Sequence, residues 1–134
     1  MTEQILLVED DAPLRSALAE TLSLADYDVL EAADGAAALE ILADQDVAAV
    51  VSDYQMQPMN GSELLTQLRS TRPSLPFVLM TAYGSIQHAI ESMRDGASDY
   101  LVKPFDAPTL IEKLAKVITR EQPAEHRTPH EMVA

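Results

Sequence analysis

Five short apolar runs of four to six residues alternate with five helical patterns along this chain. The runs are QILLV (4–8), DVLEA (28–32), VAAVVS (47–52), FVLMT (77–81) and DYLV (99–102). Between and after them come stripes at helical spacing: Leu14, Leu18, Leu22 and Ala25; the helix-forming stretch from Ala36 to Leu42; Leu64, Leu65 and Leu68; Ile86, Ala89, Ile90 and Met93; and Leu110, Ile111, Leu114 and Ile118. Pro13 carries the preset φ that suits a first helical turn. A helix between two strands brings the chain back to run in the same direction, so strict alternation predicts an α/β fold: a five-stranded parallel sheet, doubly wound, with helices on both faces.

The first, third and fourth runs are almost wholly apolar, as strands buried on both faces must be, whereas Asp99 and Tyr100 mark the fifth as an edge. In such sheets ligands bind beyond the carboxyl ends of the strands. Those ends are all polar: Glu9, Asp10 and Asp11 after the first run, Asp53 after the third, Thr81 closing the fourth, and Lys103–Pro104 after the fifth. Adjacent carboxylates repel and raise one another's pKa. If the first strand lies between the second and the third, Glu9 and Asp10 come within reach of Asp53, and their oxygens form a hard site of the kind that Mg²⁺ accepts. Each feature alone has a plainer reading. Acidic loops are usually only solvated, an Asp after a strand can cap the next turn, and a lone Thr or Lys is mostly structural. Their coincidence at four strand ends points to a site.

Composition narrows the function. The chain has 134 residues, enough for one domain with a proper core. It carries 22 acidic residues against nine Lys and Arg, a formal net charge of −13, which disfavours direct binding to nucleic acid. The absence of Cys removes disulfides and thiolate chemistry and suits a reducing cytoplasm. No apolar stretch is long enough for a bilayer, and no basic lead precedes a hydrophobic segment at the N-terminus, so a soluble, intracellular chain is expected. There is no phosphate-cradling GxxxxGK[ST] loop and no helix-turn-helix pattern. After Thr119 periodicity dissolves into REQPAEHRTPHEMVA, so residues 1–120 are expected to form the domain and 121–134 a flexible tail or the start of a linker.

The order LLVEDD, VVSDYQMQPMNG, LMTAYG and GASDYLVKPF resembles the receiver domain of bacterial two-component response regulators, over about residues 4–119. The wording from Leu79 to Phe105 is most similar to receivers of the NtrC type, whose full-length forms carry an ATPase and a DNA-binding domain. The resemblance implies the flavodoxin-like strand order 2-1-3-4-5 and a cytoplasmic signalling protein that catalyses only its own phosphotransfer and dephosphorylation. It implies Asp53 as the phosphoacceptor, served by a sensor histidine kinase or a small acyl phosphate. Asp10 and Asp53 then hold Mg²⁺, or Mn²⁺ in its place, with Glu9 acting largely through water and the Gln55 carbonyl completing the set; Asp11 stays outside. Lys103, placed by a cis bond to Pro104, supplies a point charge. Thr81 and Tyr100 form the switch. It acts on the surface of the fourth helix, fifth strand and fifth helix, where His88, Glu91, Ser92 and Asp95 are expected on the polar side. The output is expected to be transcriptional, through an effector domain or self-dimerisation.

The chain departs from the usual xxMPxMDG after the phosphoacceptor, since Pro58 is displaced by one and Asn60 replaces the Asp. Gln55 and Tyr83 flank the expected phosphoryl group and should lengthen its lifetime by controlling water. Two rivals share the architecture. An aspartate-nucleophile phosphatase needs a second Asp at position 55, which is Gln. A flavodoxin-like cofactor binder needs a phosphate-welcoming first loop, which Glu9 and Asp10 oppose.

Overall fold

The computed structural model describes residues 2–82 and 86–120. Tyr83 and the expected tail at 121–134 lie outside the described residues. The elements run β1 (Gln4–Val8), α1 (Ala12–Leu24), β2 (Asp28–Ala32), α2 (Gly35–Asp44), β3 (Ala49–Asp53), α3 (Gly61–Thr71), β4 (Phe77–Ala82), α4 (Ile86–Arg94), β5 (Asp99–Lys103) and α5 (Ala107–Arg120). All strand pairs are parallel, in the order β2-β1-β3-β4-β5. This is the doubly wound, flavodoxin-like arrangement that the resemblance implied.

Alternation along the central strands divides the core into two layers. Leu6, Val8, Val50, Phe77 and Leu79 face α2 and α3, where Leu42, Leu64, Leu65 and Leu68 meet them. Ile5, Leu7, Val51, Val78 and Met80 face α1 and α5, against Leu18, Leu22, Leu110 and Leu114. Because both faces of β1, β3 and β4 are covered, period-two polarity is absent from them, and their apolar runs follow from that burial.

Local signals set the helix starts. Asp11 accepts from the Leu14 N–H at 3.2 Å and Asp34 from the Ala37 N–H at 2.8 Å, satisfying orphan donors of α1 and α2. At α3, Asn60 accepts from the Glu63 N–H at 2.8 Å while Glu63 Oε1 accepts from the Asn60 N–H at 2.9 Å, a reciprocal capping box. Asn60 thus caps α3 through both its side chain and its backbone N–H. Both Gln57–Pro58 and Lys103–Pro104 peptides are cis; the second was implied by the resemblance and the first was not.

One helix departs from the sequence reading. The α4 stripe of Ile86, Ala89, Ile90 and Met93 is not a buried face: Ile86, Ile90 and Met93 are 51%, 43% and 41% exposed, and Ala89 and Ser92 are the buried pair. Small side chains at i and i+3 let α4 press closely on β4 and β5, which turns its larger apolar residues toward the flanks. Ser92, expected on the polar side, is thus fully buried.

Candidate functional site

Strand register assembles the site. Val8 pairs with Ser52, so the next residues, Glu9 and Asp53, leave β1 and β3 side by side. On the other flank of β3, Asp53 pairs with Met80, and beyond β4 Ala82 pairs with Lys103. The polar residues at the four strand ends therefore meet at one edge of the sheet, in a cleft of about 500 Å³ lined by Glu9, Asp10, Asp53, Gln55, Thr81 and Lys103.

Within it the Lys103 ammonium bridges two acids. Nζ lies 3.0 Å from Glu9 Oε1 and 3.1 Å from Asp53 Oδ1. Glu9 is 1% exposed and its second oxygen accepts from the Asp11 N–H at 3.2 Å. Its backbone is held as well, the N–H donating to Ala32 O at 3.0 Å and the carbonyl accepting from Arg15 Nη1 at 2.7 Å. Burial raises the Glu9 pKa, the Asp53 charge adds to the rise, and the Lys103 and Asp11 contacts only partly oppose it. Burial alone would lower the Lys103 pKa, but its hydrogen bonds and charge pairing with Glu9 and Asp53 outweigh that cost and raise it.

Glu9, Asp10 and Asp53 each offer a carboxylate oxygen, and these atoms lie within 4.8 Å of one another. Two of the three residues are buried while Asp10 is exposed, so the cluster opens to solvent on one side. Hard oxygen donors at this spacing fit a small divalent cation. Thr81 is buried at the base of the cleft, and Gln55 is exposed at its rim. Asp11 touches Glu9 through its backbone but spends its carboxylate on the α1 cap.

Tyr100 stands apart from this cluster. It pairs with Leu79, two residues before Thr81, and is half-buried against the α2–α3 layer with the Lys113 ammonium 5.0 Å from its ring centroid. Among the residues lining the cleft that the sequence did not assign to it are two aromatic rings, Tyr54 and His88. Their rings stack with centroids 4.0 Å apart and planes 11° from parallel. Strand alternation directs Tyr54 away from the face of Asp53, and His88 was assigned to the polar surface of α4, so periodicity concealed the pair.

Comparison with known proteins agrees with this geometry. Residues 5–115 match the family model for the response regulator receiver domain. The chain is 46% identical over 116 residues to the response regulator protein FleR of Pseudomonas aeruginosa, spanning 87% of this chain but 24% of FleR. It is 38% identical over 125 residues to response regulator MprA of a Mycobacterium species, spanning 93% of this chain and 54% of MprA. The chain thus covers about a quarter to a half of these relatives. Among solved structures, full-length FixJ from B. japonicum superposes with a TM-score of 0.87 at 32% identity, covering 94% of this chain and 63% of FixJ. The strand order, the acids at the ends of neighbouring strands and a match that extends from β1 into α5 lead to one conclusion: this chain belongs to the response regulator receiver domain family.

Proposed function

We propose that residues 1–120 are the phosphoacceptor module of a two-component system and that 121–134 are a tail or the start of a linker to an effector. A sensor histidine kinase is the donor. An Asp53 carboxylate oxygen attacks the phosphorus of a phosphohistidine, the P–N bond breaks, and the imidazole leaves with a proton, giving an aspartyl phosphate. The observation that carries this reading is the Lys103 ammonium 3.1 Å from Asp53 Oδ1 in a cleft of carboxylates. Such transfer depends on positioning and on neutralising charge over the phosphoryl oxygens. Lys103 supplies one positive charge, and the Thr81 hydroxyl donates to a phosphoryl oxygen.

Asp10, Asp53 and the Gln55 carbonyl would hold Mg²⁺ or Mn²⁺, with Glu9 contributing through water. The bound cation supplies the remaining charge neutralisation. A phosphoryl group brings a charge near −2 and strong acceptor oxygens to Asp53. Reorientation of Thr81 toward it and of Tyr100 behind it would pass the change to the α4–β5–α5 surface, and thence to a transcriptional output or self-dimer in the cytoplasm. The domain acts on itself and on no metabolite, catalysing its own phosphorylation and dephosphorylation.

The test is incubation with acetyl phosphate, with and without Mg²⁺, followed by mass spectrometry of intact wild type and Asp53→Asn. One added phosphoryl group, dependent on Mg²⁺ and absent from the variant, is expected. Modification that persists in Asp53→Asn would move the acceptor elsewhere.

A further inference from the structure

Two stacked rings line the acid cleft beside the carboxylates and Lys103. Tyr54 directly follows Asp53, and its backbone is pinned on both sides: the N–H donates to Met80 O at 2.8 Å and the carbonyl accepts from the Gly61 N–H at 2.8 Å. With the main chain so held, the phenol moves only by turning about its side-chain bonds. His88 lies in the first turn of α4, and its imidazole covers the phenol at 4.0 Å with an 11° tilt. Both residues are half-buried and both line the cleft. The buried pair Ala89 and Ser92 holds α4 in place, so the position of the imidazole follows that of the helix.

We infer that His88 is a positioning residue for the phosphoacceptor site: by stacking, it keeps Tyr54 as a wall of the cleft and limits the approach of water to a phosphoryl group on Asp53. The inference rests on the phosphoacceptor reading above. In hydrolysis a water oxygen forms a bond to phosphorus, the bond from phosphorus to the Asp53 oxygen breaks, the carboxylate is regenerated, and inorganic phosphate leaves with the protons of the water. Water must enter opposite the breaking bond, through the open part of the cleft. A ring held across part of that opening slows the step without touching the reacting atoms. An aromatic stack biases a side chain toward one position by about threefold to tenfold, which sets the size of the effect.

The 134-residue chain is loaded with acetyl phosphate and Mg²⁺, freed of donor by desalting, and the phosphorylated species followed by mass spectrometry. Wild type is compared with His88→Ala, His88→Phe, Tyr54→Ala and the His88→Ala/Tyr54→Ala double variant, each checked by thermal unfolding. Should His88→Ala not fold, His88→Gln takes its place, since it keeps a polar side chain without a ring. Loss of either ring should shorten the phosphoryl lifetime by about threefold to tenfold, the double variant should be no shorter-lived than the worse single one, and His88→Phe should restore the wild-type lifetime. Packing that served stability alone would move the melting temperature and leave the lifetime untouched. A wild-type lifetime in folded His88→Ala, or multiplying effects in the double variant, would overturn the inference. Wild type that never loads, or loading undiminished in Asp53→Asn, would overturn the phosphoacceptor reading with it, so the two failures are distinguishable.

Discussion

Lys103 and Glu9 form an ion pair at 3.0 Å in which the carboxylate is all but inaccessible to solvent, and the same ammonium reaches Asp53 at 3.1 Å. The lysine therefore has two opposed effects on the acid cluster. It stabilises the two carboxylates, and it repels any second cation seeking them. Lys103→Gln should bind Mg²⁺ roughly tenfold more tightly, because a unit positive charge within a few ångströms of the clustered carboxylates is removed from a partly desolvated site. On the phosphoacceptor reading proposed above, the same variant should be phosphorylated by acetyl phosphate about a hundredfold more slowly, since the charge proposed to act on the transferring group is gone. Titration calorimetry and intact-mass kinetics read the two effects separately; weaker Mg²⁺ binding in the variant would contradict the electrostatic account.

The pH dependence of stability should carry the signature of Glu9. Its pKa in the folded chain stands above the ordinary value of 4.5, chiefly through burial. Between 4.5 and that raised value the folded state retains a proton that the unfolded chain has released, so stability falls as pH rises through this window. Lys103, raised above 10.5, keeps its charge throughout and contributes a constant. Denaturant unfolding in EDTA from pH 4.5 to 7 should show Glu9→Gln gaining stability relative to wild type as pH increases. Parallel curves would remove Glu9 as the source.

Much of the fold and the cluster could be read from the chain itself, for a physical reason. Strands covered on both faces leave long apolar runs, and the polar residues that end them, Glu9, Asp53 and Lys103, mark where the sheet stops. What could not be read depends on rotation about a single axis. The α4 pattern gave an apolar stripe of Ile86, Ala89, Ile90 and Met93, yet burial depends on how closely a helix can approach its sheet: of that stripe the small Ala89 is buried, together with Ser92 from the expected polar side, while the three larger residues stay exposed. That choice carries His88 into the cleft over Tyr54. A one-dimensional period records which residues share a face and says little about which face turns inward when two are nearly as apolar.

The loop after Asp53 is packed against a glycine with no room to spare. A Cβ at Gly61 would collide with the Asp53 carbonyl oxygen and would stand 2.8 Å from Leu79 Cδ1 and 3.0 Å from Tyr54 Cα. Backbone cannot yield as a flexible side chain does. Gly61→Ala should therefore cost about 1–3 kcal/mol in overpacking, despite the better helix propensity of Ala. On the phosphoacceptor reading it should also impair acetyl phosphate labelling of Asp53, since relief of the clash shifts the strand end that carries the carboxylate. Urea denaturation and acetyl phosphate labelling test the two parts, and a variant as stable as wild type would show that the loop has slack.

Ser92 offers the opposite case, a substitution expected to help. Its hydroxyl is fully buried in α4 and has no hydrogen-bond partner among the described residues. Burying an unsatisfied hydroxyl costs about 1–3 kcal/mol, while a methyl group in the same space costs nothing of the kind. Ser92→Ala also raises helix propensity by roughly half a kcal/mol. The variant should therefore be more stable than wild type by about 1 kcal/mol, a gain seen as a higher denaturation midpoint at unchanged m-value. Ser92→Val tests the reason for the small residue: a β-branched side chain between α4 and the β4–β5 edge forces the helix outward, so it should lose stability although it too removes the hydroxyl. If Ser92→Ala were instead destabilising, the hydroxyl would have to be satisfied in solution.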